Sequence, residues 1–209
     1  MTAAAALPER TRLFHVGPPK TGTTALQEAA AARRRDLLAH GVRYPGTGID
    51  HGMAVAAFLG QRWGWEQDGV VPPMSRWFDL LAEIRAERRD RVLFGHEYAA
   101  KADEATIERF AEQIGDPLHV VITLRPFASM LPSTWQESLK LGGVQPFDPW
   151  LRRVLERPGP SGVDHPARNQ GLLVDRWASV LGSLRRRPVQ RVKRRRHASG
   201  ETRLPAAAR

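Results

Sequence analysis

The segment from residue 13 to residue 39 constrains the fold more than any other part of this chain. It opens with the mostly apolar residues Leu13 to Val16, as expected of a buried strand. A loop bounded by Gly17 and Gly22 follows, and residues 23–39 are rich in Ala, Leu, Glu and Arg, which favours a helix. A strand, a glycine loop and a helix in this order predict the start of a βαβ unit, with an anion site at the helix N-terminus.

The rest of the chain continues to alternate between strands and helices. Strands are predicted at 91–95 and 118–124, with a short extended piece at 42–45. Helices are predicted within 51–67 and at 76–88, 103–114, 127–141, 147–156 and 169–181, with Ser75 and Asp103 as N-caps and a bend near Pro132. This alternation predicts an α/β, P-loop-type three-layer fold, a parallel sheet with helices on both faces.

The composition limits the possible partners and the possible chemistry. Most of the net charge of +10 lies in the Arg-rich residues 183–209, and the remainder of the 209-residue chain is nearly neutral. Nucleic acid is therefore not an expected partner, except through this basic segment. The chain contains no cysteine, which excludes disulfides, thiolate catalysis and cysteine-bound zinc.

Three regions and a cellular location follow from the distribution of apolar residues. Residues 1–11 are predicted to be a disordered N-terminus, 12–182 an α/β domain, and 183–209 a solvated, disordered tail. No apolar run approaches the roughly 18 residues that span a bilayer, and no secretory signal is recognisable at the N-terminus. We therefore expect a cytoplasmic protein without a membrane partner.

The glycine loop departs from the loop of ATP-binding P-loop proteins. In that motif a lysine follows the second glycine directly, whereas here Thr23 follows Gly22 and the lysine lies earlier, at Lys20. The strand at 118–124 is followed by Arg125, where a Walker B motif would have an acidic residue for magnesium. A P-loop nucleotide kinase is therefore disfavoured.

The string from Pro19 to Thr24, Pro-Lys-Thr-Gly-Thr-Thr, resembles the 5′-phosphosulfate loop of sulfotransferases that use 3′-phosphoadenosine 5′-phosphosulfate (PAPS). The resemblance implies that Lys20 neutralises charge on the leaving phosphate, which suits a fixed ammonium group. It also implies that the 5′-phosphate is held by loop amides and hydroxyls, with these cofactor-binding residues: Pro19, Lys20, Thr21, Gly22, Thr23 and Thr24.

The same resemblance assigns the 3′-phosphate of PAPS to an arginine after a strand and to a serine eight residues later. Arg125 and Ser133 have this spacing, and Ser129 is the alternative hydroxyl. Arginine suits a phosphate because its guanidinium donates paired hydrogen bonds. Residues 135–137, Trp-Gln-Glu, and Lys140 also resemble a stretch of bacterial sulfotransferases, although a core tryptophan beside solvated charges explains them equally well.

A general base is needed to remove the proton from the acceptor during sulfuryl transfer. The strand at 91–95 is followed by His96 and Glu97, and this segment resembles the base-bearing segment of bacterial and heparan-type sulfotransferases. Glu97 is the preferred base and His96 the second choice, while a capping or surface role for Glu97 remains open. The remaining histidines show no spacing typical of a metal site, and no metal is expected.

The resemblance covers residues 10–182 and stops there. Family members continue with an apolar strand and a lid over the cofactor, whereas residues 183–209 contain no recognisable strand. This segment is interpreted as a truncated or frame-altered end, as a basic tail that binds nucleic acid or an acidic glycan, or as a solvated tail without a partner. A truncated end would make the chain a weak or inactive remnant that binds PAPS or its product PAP.

The sequence thus predicts a sulfotransferase that passes a sulfuryl group from PAPS to a hydroxyl or amine of a small molecule or glycan, with PAP as product. Residues 46–75 and the nearby tryptophans are candidates for an acceptor cleft, although core packing explains each tryptophan singly. These tryptophans are Trp63, Trp65 and Trp77.

Overall fold

Four short strands and eight α-helices make up the part of the chain that the computed structural model describes, residues 7–64, 69–156 and 169–182. The strands are β1 (Arg12–Val16), β2 (Val42–Arg43), β3 (Arg91–Gly95) and β4 (Leu118–Ile122). The helices are α1 (Thr23–Ala32), α2 (Arg34–Ala39), α3 (Gly52–Leu59), α4 (Ser75–Ala86), α5 (Glu104–Ile114), α6 (Phe127–Lys140), α7 (Phe147–Glu156) and α8 (Gln170–Leu181). A 3₁₀ turn, Glu97–Lys101, follows β3.

The four strands form one parallel sheet in the order β2-β3-β1-β4. In the central strand β1, Phe14 lies opposite Phe94 of β3 and opposite Val120 of β4. The three strands run in the same direction and in matching register, so their carboxyl ends meet at one edge of the sheet. The loops that follow β1, β3 and β4 are therefore brought together at this edge, where ligands bind in open α/β sheets.

Helices cover both faces of this sheet. Successive residues of a strand point to opposite faces, so one strand can contact helices on both sides. Phe14 is fully buried on one face, with its ring centroid 4.3 Å from that of Phe110 on α5 and 5.7 Å from that of Trp177 on α8. On the other face, Gln27 of α1 donates a hydrogen bond to the carbonyl of Gly95. The α/β fold class predicted from the sequence is confirmed.

Two helix boundaries differ from the sequence prediction. The helix predicted at 23–39 is two helices that break at Arg33, and the next side chain, Arg34, donates hydrogen bonds to the carbonyls of Tyr44 and Gly48. The N-cap position of α4 is occupied by Met74, so Ser75 is the first helical residue and the predicted serine cap is wrong. The predicted cap of α5 is confirmed, since Asp103 accepts a hydrogen bond from the amide of Thr106.

The outer segments extend the sheet beyond its strands. Within the predicted disordered N-terminus, the structure describes residues 7–11: Thr11 is fully buried, and its carbonyl accepts a hydrogen bond from the amide of Val92. At the other end of the sheet β4 stops two residues earlier than predicted, although the amide of Thr123 still binds the carbonyl of Val16. The predicted tail at 183–209 lies outside the described residues.

None of the helices in the described ranges is long and apolar enough to cross a membrane.

Candidate functional site

The loop between β1 and α1 begins at a position that only glycine fits. A Cβ atom on Gly17 would lie 2.6 Å from Cγ2 of Thr23 and 2.7 Å from Oγ1 of Thr21, and it would also meet the hydroxyl of Thr123. These distances are too short for any real Cβ contact, so the loop packs directly against the segment that follows β4. In the sequence, Gly17 was recognisable only as the first glycine of the loop between the predicted strand and helix.

Two residues of the loop adopt a left-handed backbone, which directs the chain into α1. Gly22 has φ +95° at the N-cap position of α1, and Lys20 has φ +69°, an uncommon value for a residue with a side chain. The hydroxyl of Thr21 donates to the carbonyl of Pro18 at 2.7 Å. The Thr21 hydroxyl thus faces the loop itself, and its predicted contact with a 5′-phosphate stays a prediction.

The Lys20 ammonium lies in the cleft above the sheet edge and forms an ion pair. Its Nζ atom is 2.7 Å from Oε2 of Glu137 on α6, and the Nζ atom of Lys140 is 3.6 Å from the same oxygen. The hydrogen bond from Lys20 lowers the pKa of the Glu137 carboxyl, so this group is ionised. Two cations therefore share one carboxylate at this position.

Arg125 follows β4 and reaches back to the glycine loop. Its Nη1 atom donates to the carbonyl of Lys20 at 2.9 Å and lies 3.5 Å from Oγ of Ser133, in the second turn of α6. The Ser133 hydroxyl also donates to the carbonyl of Ser129 at 3.3 Å. The two predicted ligands of the 3′-phosphate are thus adjacent, and of these two side chains Arg125 lines the cleft.

The backbone of Arg125 is held by one side chain that is distant in sequence. Gln170, the first residue of α8, accepts a hydrogen bond from the Arg125 amide at 2.8 Å and donates one to the Arg125 carbonyl at 2.7 Å. Both polar groups of this peptide segment are therefore satisfied by a single amide side chain. No local pattern in the sequence indicated this contact.

Glu97 begins the 3₁₀ turn after β3 and faces the glycine loop. Its Oε2 atom accepts a hydrogen bond from the hydroxyl of Thr23 at 3.0 Å. Burial raises the pKa of the Glu97 carboxyl, while the Thr23 hydrogen bond and the charges of Lys20 and Lys101 oppose this rise. A partly buried carboxylate beside the loop suits a proton acceptor.

His96, the alternative base, is buried behind Glu97. Its Nδ1 atom accepts a hydrogen bond from the amide of Tyr98 at 3.3 Å, and its ring packs against the rings of Trp63 and Tyr98. Burial lowers the pKa of His96 to about 4, so the ring is neutral near pH 7. His96 does not line the cleft, and one of its ring nitrogens is already used within the turn.

Most of the predicted site residues line one open cleft of about 990 Å³, whereas Thr21, His96 and Ser133 do not. Basic and acidic groups from separate chain segments face it: Lys20, Arg62, Lys101, Arg125, Glu97 and Glu137. The loop residues Pro19, Gly22, Thr23 and Thr24 line it as well. Glu97 and Tyr98 follow β3 and Arg125 follows β4, so the cleft extends along the sheet edge from β4 to β3.

The tryptophans proposed for an acceptor cleft have separate environments. Trp77 is fully buried in the core, with its indole N–H donating to Oε1 of Gln113 at 2.6 Å. Trp63 packs against the rings of His96 and Tyr98, next to the cleft. Trp65 lies outside the described residues. Of these side chains, Trp63 is the one that supports the β3 side of the cleft.

Metal ligands do not cluster in the described ranges: no group of three or more His, Cys, Asp or Glu side chains could hold an ion there.

Comparisons with known proteins give one finding at the level of the fold. No protein-family profile and no curated protein matches the chain. The crystal structure of a sulfotransferase from Alicyclobacillus acidocaldarius superimposes on it with a TM-score of 0.52 at 18% sequence identity, covering 85% of this chain and 70% of that one. At this identity the likeness concerns the fold, and the chain therefore has a sulfotransferase-like fold.

Proposed function

We propose that this protein is a PAPS-dependent sulfotransferase that transfers a sulfuryl group to a hydroxyl or amine. One observation carries the proposal: Lys20 and Arg125, each after a neighbouring strand, line a single cleft into which Glu97 also faces. This arrangement supplies two cations for an anionic donor and a base for the acceptor in the same space. The sulfotransferase-like fold supports the same proposal.

The donor-binding side of the cleft fits a nucleotide with phosphate groups at both ends. The amides at the start of α1 and the hydroxyls of Thr23 and Thr24 suit the 5′-phosphosulfate, because a helix N-terminus attracts anions. Arg125, with Ser133 beside it, suits the 3′-phosphate. When bound there, PAPS supplies an activated sulfuryl group.

The chain's own residues would carry out three tasks during transfer. Glu97 accepts the proton of the acceptor hydroxyl or amine while the acceptor atom attacks sulfur. The Lys20 ammonium neutralises the charge that develops on the departing phosphate oxygen. Arg125 holds the carbonyl of Lys20, so the loop that carries the ammonium stays in place. No step requires a metal ion, since Lys20 provides the positive charge.

The acceptor side of the cleft lies next to Glu97. Tyr98, Lys101 and Gly64 line this side, and the ammonium of Lys101 lies 5.7 Å from the centre of the Tyr98 ring. An aromatic face beside a cation suits the hydroxyl-bearing ring of a small molecule or a glycan. We propose acceptors of this kind, while nucleic acid enters the proposal only through the basic residues 183–209.

Replacing Lys20 tests the proposal directly. Lys20→Ala should lower the rate of sulfuryl transfer from PAPS by roughly 100-fold or more, because the charge on the leaving oxygen is no longer neutralised. Lys140→Ala is the matched control, since Lys140 contacts the same carboxylate from the exposed side of α6. A Lys20→Ala protein with full transfer activity would contradict the assignment.

Thermal-shift measurements with PAP, PAPS and ATP–Mg separate the proposed enzyme from the two alternatives. Stabilisation by PAP together with transfer from PAPS supports the sulfotransferase. Stabilisation by PAP without transfer to any acceptor indicates a protein that binds the nucleotide only. A response to ATP–Mg alone would indicate a nucleotide kinase and would overturn the proposal.

A further inference from the structure

The carboxylate of Glu137 contacts the residue on which the proposed chemistry depends. Glu137 lies one turn after Ser133 on α6, so the two side chains share one face of the helix. Its side chain is 20% exposed, lines the cleft, and places Oε2 at 2.7 Å from Nζ of Lys20. Two glutamates therefore face this cleft, one on each side of the glycine loop.

The position of Glu137 separates its task from that of Glu97. In an in-line transfer the attacking and leaving oxygens lie on opposite sides of sulfur, so the base and the group that meets the leaving oxygen are also on opposite sides. Lys20 belongs to the leaving side in the proposed mechanism. Glu137 binds Lys20 itself, whereas Glu97 accepts a hydrogen bond from Thr23. Glu137 is thus on the leaving side and is not a second base.

A carboxylate and an anionic ligand cannot both pair fully with the same ammonium. A 5′-phosphate at the loop would approach Lys20 and would be repelled by the charge of Glu137 at the same time. Lys140 cannot cancel this repulsion completely, because its side chain is 74% exposed and its Nζ atom is 3.6 Å from the carboxylate. Ligands with a 5′-phosphate therefore compete with Glu137 for Lys20.

We propose that Glu137 is a positioning residue that acts through Lys20. Its carboxylate holds the Lys20 ammonium at the cleft until an anion at the 5′-phosphate position competes for it. The inference rests on the proposed function, because it takes the 5′-phosphate side of PAPS to lie at Lys20. It predicts a specific pattern of affinities. Removing the charge of Glu137 should raise the affinity for ligands that contact Lys20. The affinity for ligands that contact only Arg125 should stay unchanged.

Isothermal titration at low salt tests this pattern with Glu137→Gln, which keeps the size of the side chain and an oxygen that can accept from Lys20. PAP and adenosine 5′-monophosphate should bind roughly three- to tenfold more tightly to the variant than to the wild type. Adenosine 3′-monophosphate, which lacks the 5′-phosphate, should bind both proteins equally. Glu112→Gln on the exposed face of α5 removes the same charge far from the loop and should change none of the affinities.

Two results would overturn the inference. One is an unchanged or weaker affinity for PAP in Glu137→Gln, and the other is an equal gain for PAP and adenosine 3′-monophosphate, which would indicate a general charge effect. If neither protein binds PAP, the proposed function fails, and the acylation rate of Lys20 by acetic anhydride decides the inference separately. Relative to Lys101, Lys20 should then be labelled about threefold faster in Glu137→Gln, and an equal ratio in both proteins would refute the role of Glu137.

Discussion

Burial affects the two candidate bases in opposite ways. It disfavours the charged form of each group, so the pKa of His96 falls to about 4 and the pKa of Glu97 rises above its ordinary value. Burial thus makes His96 a weaker proton acceptor and the Glu97 carboxylate a stronger one. Access then distinguishes them, because Glu97 lines the cleft while His96 is buried against Trp63 and Tyr98. Of the two, Glu97 is the one whose side chain lines the cleft, and its role as the base stays a prediction.

The raised pKa of Glu97 predicts a gain in stability when its charge is removed. The unfolded chain releases the Glu97 proton at a lower pH than the folded chain, so ionisation of Glu97 destabilises the fold as pH rises through its folded pKa. Glu97→Gln should therefore raise Tm at pH 7 by about 2 °C and abolish transfer activity. The gain in Tm should disappear below about pH 4, where the carboxyl is protonated in both states.

Measuring Tm of the wild type and of Glu97→Gln between pH 3 and pH 8 checks this prediction. Asp103→Asn is a useful contrast: the hydrogen bonds from Thr106 lower the pKa of Asp103, so removing the charge of this carboxylate should slightly lower Tm at pH 7. A lower Tm for Glu97→Gln at pH 7, or a gain that persists at pH 3, would show that burial does not dominate the environment of Glu97.

Three elements meet at the end of the cleft that Arg125 lines: β4, α6 and α8. Arg125 follows β4, Ser133 lies on α6, and Gln170 at the start of α8 binds both backbone polar groups of Arg125. The adjacent Asn169 caps α8, since its Oδ1 atom accepts from the amide of Leu172 at 2.9 Å. Gln170 thus holds the Arg125 segment, while Asn169 caps the helix that carries Gln170.

Because Gln170 and Asn169 make different contacts, replacing them should have different effects. Gln170→Leu leaves the amide and carbonyl of Arg125 without their partner, which should cost about 1–3 kcal/mol of unfolding free energy and weaken PAP binding. Asn169→Ala should cost about 1 kcal/mol through loss of the cap and leave PAP affinity unchanged. Denaturant unfolding and PAP titration of both variants provide the test. Equal effects on PAP affinity would mean that Gln170 acts only by stabilising α8.

At this scale the sequence predicted the local relationships and missed the distant ones. Arg125 and Ser133 are eight residues apart along a strand end and a helix, and the resemblance to sulfotransferases in this short stretch implied that the two would act together; their side chains are adjacent. Gln170 is 45 residues from Arg125, and no periodic pattern joins them. The break between α1 and α2 was missed for a related reason: the Ala-rich composition favours one helix, while Arg34 binds carbonyls in the loop after β2.

The whole molecule is held together by an aromatic core that joins elements from both ends of the chain. Phe14 of β1, Phe94 of β3 and Phe110 of α5 contact one another, and Trp177 of α8 packs against Phe14 and Phe110. Helical spacing predicted the buried face of α5, which the structure confirms. The sheet order β2-β3-β1-β4 was not predictable in this way, because a strand's sequence does not state which strands are its neighbours.

Trp77 and Trp177 allow the core to be tested with a matched pair. Both are almost completely buried, and both contact Phe110, at ring-centroid distances of 5.7 Å and 5.9 Å. The indole N–H of Trp77 donates to Gln113 at 2.6 Å, whereas that of Trp177 has no hydrogen-bond partner among the described residues. Replacing either tryptophan with phenylalanine therefore removes a similar volume, but only Trp77→Phe removes a hydrogen bond.

Trp77→Phe should accordingly lower the free energy of unfolding by about 1 kcal/mol more than Trp177→Phe, because it breaks the bond to Gln113 while the second change removes an unsatisfied buried donor. Urea unfolding of both variants, followed by circular dichroism, measures the difference. An equal or larger loss for Trp177→Phe would contradict it, because the two cavities would then outweigh the hydrogen bond. The smaller loss expected for Trp177→Phe also agrees with ring packing between α8 and the core, which phenylalanine largely preserves.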